Sequence, residues 1–89
     1  MLDATLSRID SEMEQNLNRL FDFLKIKSIS TDPEFEKDCA EAADWLVADL
    51  KSFGAKVKKY ETGGHPIVLG DLGSDSGPHV LFYGHYDVQ

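Results

Sequence analysis

The sequence lacks a second cysteine, so Cys39 cannot form a disulfide within the chain. It also lacks an uninterrupted apolar stretch approaching the ~20 residues that a membrane-spanning helix requires. The opening residues 1–4 lack the basic and apolar regions of a secretory signal. From these three absences we expect a cytoplasmic protein.

Positive charge is scarce as well. Nine Lys and Arg residues face sixteen Asp and Glu residues, which gives a formal net charge of -7, and the basic residues form no cluster. Nucleic acids and anionic membranes bind through clustered Lys and Arg, so neither is expected as a partner. Hydrophobic residues make up 42% of the chain, which is enough for a core.

The first part of the chain has the period of an amphipathic helix. Apolar residues recur every three or four positions, at Leu2, Leu6, Ile9, Met13, Leu17, Leu20 and Leu24. This spacing predicts a helix from about residue 3 to residue 24, with its scattered acidic residues on a solvated face. Residues 25–30, called the link below, alternate apolar and polar side chains and are expected to be extended.

A second helix is predicted after the link. Its start signal allows two arrangements: Thr31 and Glu34 form a capping box, or Asp32 caps a helix with Pro33 at its first position. An apolar stripe follows, and Gly54 provides a stop. Cys39 lies on this stripe without a partner thiol or nearby imidazole, so a buried structural thiol is favoured over a nucleophile or a zinc ligand.

Three strands are predicted beyond Gly54, at residues 55–61, 66–72 and 79–83, and the first two are expected to pair as a hairpin. The third segment is β-branched and aromatic, which suits a buried strand. The sequence therefore predicts an α/β fold, with two helices packed on the first three strands of a mixed sheet.

His85 and Asp87 follow the third predicted strand. In an extended segment, residues two apart share a face, so the imidazole of His85 lies beside the carboxylate of Asp87. Such a carboxylate fixes the tautomer of a metal-binding histidine. A hydrogen-bonded core histidine explains the same pattern. His65 and His79 have no carboxylate two residues away, and no site role is predicted for them.

The residues around His85 and Asp87 resemble a motif of a known protein family. Residues 81–89, Leu-Phe-Tyr-Gly-His-Tyr-Asp-Val-Gln, closely resemble the first metal-site motif of the dinuclear zinc peptidases and deacylases. That family includes carboxypeptidase G, carnosinase-like dipeptidases, acetylornithine deacetylase and succinyl-diaminopimelate desuccinylase. Residues 84–89, called the histidine motif below, look most like the dipeptidase branch. Residues 26–30 resemble the family's short link between its first two helices.

The resemblance implies specific roles. His85 would bind one of two Zn²⁺ ions, with Mn²⁺ or Co²⁺ as other candidates, and Asp87 would orient His85, a role usually counted as catalytic. Residues 1–89 would be the amino-terminal portion of the catalytic domain, and the bridging aspartate, the general-base glutamate and a second, dimerising domain would follow Gln89. The expected substrates are small peptides or N-acyl amino acids, and the fragment alone would be inactive.

A second hypothesis comes from another class of protein. The chain could be a small acidic α/β interaction module, in which His85 and Asp87 only hydrogen-bond to each other at the end of a strand. This hypothesis predicts no catalysis.

Overall fold

A computed structural model describes all residues from 1 to 89. The helices are α1 (Leu2–Ser11), α2 (Met13–Leu24) and α3 (Glu36–Ser52), and α3 is preceded by a short 3-10 helix at Pro33–Phe35. The strands are β1 (Lys56–Tyr60) and β2 (Ile67–Asp71). The predicted α/β class is confirmed. None of the helices is both long enough and apolar enough to cross a membrane.

The first predicted helix forms with one interruption. Glu12 lies between α1 and α2 with φ -102° and ψ 6°, outside the helical region. The helical pattern of backbone hydrogen bonds continues across Glu12. Its N–H donates to Arg8 O at 3.0 Å, and its backbone oxygen accepts from Asn16 N at 2.9 Å. No residue of α1 or α2 is buried, so the apolar stripe of this helical segment faces solvent.

The carboxyl-terminal half of α2 packs against α3. The rings of Phe23 and Trp45 lie 5.1 Å apart between centroids, with their planes tilted by 51°. The Arg19 guanidinium donates to both carboxylate oxygens of Asp49 at 2.8 Å. An aromatic contact and a bidentate ion pair therefore hold the two helices together.

The second predicted helix begins in one of the two ways that the sequence allowed. The Asp32 carboxylate accepts the backbone N–H of Glu34 at 2.9 Å, and Pro33 occupies the first position. Gly54, at φ 95°, ends α3 in the left-handed region that favours glycine. The small core lies on this helix: Cys39, Ala42 and Ala43 are fully buried. The predicted burial of Cys39 is confirmed.

The predicted hairpin also forms. Strands β1 and β2 pair antiparallel, from Lys56 opposite Asp71 to Tyr60 opposite Ile67. Helix α3 packs on both strands. At Gly70 the packing is close, because an added Cβ would lie 3.1 Å from Leu50 Cδ1.

The third predicted strand, residues 79–83, is wrong for this chain. These residues do not pair with another strand, and each residue of the apolar run from Val80 to Tyr83 is at least 76% exposed. A strand needs a neighbour to hydrogen-bond with, and none lies beside this segment. The only strand-like contact nearby is a single parallel bridge between Ile29 and Val88. The sheet is therefore a two-stranded antiparallel hairpin instead of three strands of a mixed sheet.

Candidate functional site

The histidine motif lies directly against the link. Val88 N donates to Ser28 O at 2.8 Å, and Ser30 N donates to Val88 O at 2.9 Å. The Ser28 hydroxyl adds a bond to the backbone oxygen of Tyr86 at 3.0 Å. Residues almost 60 positions apart are thus joined by main-chain and side-chain bonds. The link, which the sequence predicted only as a connection between helices, is thus hydrogen-bonded to the histidine motif.

His85 and Asp87 come together as predicted from their spacing. His85 Nδ1 lies 3.1 Å from Asp87 Oδ1 and 3.0 Å from the Asp87 backbone oxygen. Both oxygens only accept hydrogen bonds, so Nδ1 carries a ring hydrogen, and in the neutral imidazole Nε2 keeps its lone pair. The His85 side chain is 75% exposed. An exposed imidazole with a free Nε2 and a carboxylate on Nδ1 suits a divalent transition metal.

The Asp87 carboxylate has a different partner on each oxygen. Oδ1 accepts from His85, and Oδ2 accepts from the Ser30 hydroxyl at 2.5 Å. The Ser30 hydrogen bond is the main cause that holds the pKa of Asp87 below its ordinary value, and the bond from His85 acts in the same direction. Asp87 is therefore ionised at neutral pH, as a carboxylate that orients a histidine should be.

The turn between β1 and β2 is also hydrogen-bonded to the link and to the histidine motif. His65 Nε2 lies 3.2 Å from the backbone oxygen of Ser30, and the Tyr86 hydroxyl donates to Pro66 O at 2.6 Å. Burial raises the pKa of the Tyr86 hydroxyl, so it stays protonated as a donor. The sequence assigned no site role to His65, and no local pattern reveals this contact.

An open cleft of about 740 Å³ lies beside the pair. Its walls are residues 65–69 of the hairpin and residues 81–87, with Phe23 and Leu46 from the helices. Most of these side chains are hydrophobic. The cleft occupies the space between β2 and the segment that was predicted to be the third strand.

The other potential metal ligands do not join His85. No group of three or more His, Cys, Asp or Glu side chains is arranged to hold an ion. Cys39 is fully buried, and burial is the main cause that raises the pKa of its thiol, with the Asp87 charge second. A closed zinc site takes three or four protein ligands, so His85 alone does not complete one.

Comparison with curated proteins gives a consistent set of relatives. The chain is 35% identical to a Cys-Gly metallodipeptidase of Schizosaccharomyces pombe and 36% identical to one of Candida albicans. It is 31% identical to a Beta-Ala-His dipeptidase of Rattus norvegicus. Each match covers 99% of this chain. The predicted resemblance to the dipeptidase branch is confirmed.

The matches cover nearly all of this chain but only a small part of each relative. The chain spans about a fifth, 21%, of the length of the curated relatives that it matches. No protein-family model matches the chain. No solved structure matches it either. The two yeast relatives are named as metallodipeptidases and the rat relative as a dipeptidase, so the chain resembles peptide hydrolases, two of which are named as metal-dependent.

Proposed function

We propose that this chain is the amino-terminal part of the catalytic domain of a metal-dependent dipeptidase, in which His85 binds a metal ion. One observation carries the proposal. His85 donates from Nδ1 to Asp87 and leaves Nε2 exposed, within a chain that resembles metallodipeptidases over 99% of its length. The alternative of a non-catalytic interaction module gives no reason for an exposed, oriented imidazole.

The two site residues have separate tasks in this proposal. His85 supplies the ligand nitrogen, and Asp87 keeps the ring in the tautomer that leaves Nε2 free. When bound, paired divalent ions polarise an amide carbonyl and lower the pKa of a water molecule. We propose two Zn²⁺ ions, with Mn²⁺ or Co²⁺ as candidates, because imidazole is a ligand for several such metals.

The surface of the chain supports the view that it is part of a larger catalytic domain. The chain exposes 7440 Å², whereas a compact monomer of its mass exposes about 5,200 Å². Its radius of gyration is 15.2 Å, against about 12 Å expected for a compact domain of this length. The excess includes the apolar run from Val80 to Tyr83. We propose that further strands of the same domain cover this run and that the missing ligands come from there.

The proposed substrates are small peptides, with dipeptides first because the relatives are named for them. The relatives include Cys-Gly dipeptidases and a Beta-Ala-His dipeptidase. Hydrolysis of N-acyl amino acids is the second possibility within the same chemistry. The cytoplasmic location and the dimer stay predictions from the sequence and from the family resemblance.

The experiment uses the longer protein that carries these residues. It is purified, stripped of metal with a chelator and assayed against Cys-Gly, β-Ala-His and an N-acetyl amino acid. Zn²⁺, Mn²⁺ or Co²⁺ is then added back. We expect dipeptide hydrolysis that disappears on stripping and returns with one of these metals. Hydrolysis that is unchanged after complete metal removal, or no hydrolysis with any metal, would contradict the proposed function.

A further inference from the structure

Ser30 forms hydrogen bonds through its backbone N–H, its backbone oxygen and its hydroxyl. Its backbone N–H donates to Val88 O at 2.9 Å, and its backbone oxygen accepts from His65 Nε2 at 3.2 Å. Its hydroxyl lies 2.5 Å from Asp87 Oδ2 and 3.4 Å from Val88 O. The main chain of Ser30 is thus fixed on both sides, and the shorter hydroxyl contact is the one to the carboxylate.

This contact connects Ser30 to the candidate metal ligand, His85, through the carboxylate of Asp87. Asp87 uses Oδ2 for Ser30 and Oδ1 for His85, so its carboxylate plane is held at both oxygens. Without the Ser30 hydroxyl, Oδ2 loses its partner and the carboxylate becomes free to turn about its terminal torsion, which is broad for aspartate. The bond from His85 Nδ1 to Oδ1 then loses its fixed direction.

We propose that Ser30 is a positioning residue for His85, acting through the Asp87 carboxylate. The role rests on the proposed function, because it assumes that His85 binds metal. Groups that orient a metal-binding histidine typically change metal affinity or activity by ~10- to 100-fold when they are lost. Ser30 acts one bond further away than Asp87. We therefore expect the lower end of that range, about 10-fold in metal affinity.

The chain offers a matched control in the same link. Ser28 also donates its hydroxyl to the histidine motif, but to the backbone oxygen of Tyr86 at 3.0 Å and not to a carboxylate. Ser28→Ala therefore removes one hydroxyl bond between the same two segments without touching Asp87. Ser30→Thr keeps the hydroxyl and serves as the conservative variant.

The main measurement is zinc affinity, by competition with a chromophoric chelator, on the longer protein and its Ser30→Ala, Ser30→Thr and Ser28→Ala variants. The thermal midpoint of each metal-free protein is recorded alongside. We expect Ser30→Ala to weaken zinc binding about 10-fold, Ser30→Thr to restore most of it, and Ser28→Ala to lower the midpoint while retaining wild-type affinity. Wild-type affinity in Ser30→Ala would overturn the proposal, and so would an equal loss in Ser28→Ala.

A second readout does not depend on metal. Ring ¹⁵N shifts of His85 in the metal-free longer protein should report a hydrogen on Nδ1, and Ser30→Ala should shift the tautomer balance toward Nε2. A ring hydrogen that stays on Nδ1 to the wild-type extent in Ser30→Ala would overturn the proposal. A wild-type protein that binds no zinc would reject the proposed function, whereas a normal wild type with an unaffected Ser30→Ala would reject the role of Ser30 alone.

Discussion

Phe82→Glu should reduce self-association of the isolated 89-residue chain. Phe82 is 90% exposed and lies within an apolar run with no strand beside it. The chain exposes 7440 Å², about 2,200 Å² more than a compact monomer of its mass. A standard protein interface takes only about 800 Å² from each partner. The excess is therefore large enough to drive association, and a charge in the centre of the run should oppose it.

Sedimentation velocity over a series of protein concentrations measures this effect. The matched control is Ser76→Glu, which adds the same charge to an exposed polar loop a few residues earlier. We expect the unmodified chain and Ser76→Glu to associate, and Phe82→Glu to shift toward monomer. Equal association of both variants would show that this run is not the contact surface. An unmodified chain that is monomeric throughout and melts cooperatively well above ~65 °C would refute the need for a covering domain.

Three further predictions concern stability, ionisation and metal binding. Phe23→Ala removes the ring contact with Trp45. Because Phe23 is half-buried, this change should lower the free energy of unfolding by about 2 kcal/mol in urea titrations. The exposed control Phe21→Ala should lower the free energy of unfolding much less. Burial raises the pKa of Cys39 above its ordinary value of 9.0 in the folded state, so the unfolded chain releases its proton first. Stability should therefore fall as the pH rises through 9.0 toward the folded-state pKa, and Cys39→Ala should remove this part of the pH dependence in urea titrations. Finally, the isolated chain should bind zinc no better than a surface histidine in calorimetric titration, and a stoichiometric submicromolar site would reveal ligands other than His85 within these residues.

The elements that the sequence predicted well are those with local signals. The 3-10 helix that leads into α3 begins where Asp32 and Pro33 together mark a start, and α3 ends just before Gly54, whose φ of 95° suits glycine. The hairpin is also local, since its strands are joined by a short turn. The pairing of His85 with Asp87 follows from their spacing of two residues.

The features that the sequence missed depend on distant partners. The predicted strand at residues 79–83 fails because a strand forms only beside another strand, which local composition does not supply. The bond from Ser30 to Asp87 spans 57 positions, and the bond from His65 to Ser30 spans 35. No periodicity connects residues that far apart. The interruption at Glu12 lies within an unbroken helical pattern, and the sequence around it carries no breaker residue.

The metal content of histidine variants of the longer protein shows whether His85 binds a metal ion. His85→Ala removes the candidate ligand, whereas His79→Ala removes an exposed histidine for which no site role is predicted. Asp87→Asn keeps the size of the side chain but loses the charge that orients His85, and it should weaken metal affinity or activity by ~10- to 100-fold. We expect His85→Ala to lose one metal ion and nearly all dipeptide hydrolysis, and His79→Ala to match the wild type in both. Wild-type metal content and hydrolysis in His85→Ala would show that His85 is not a metal ligand.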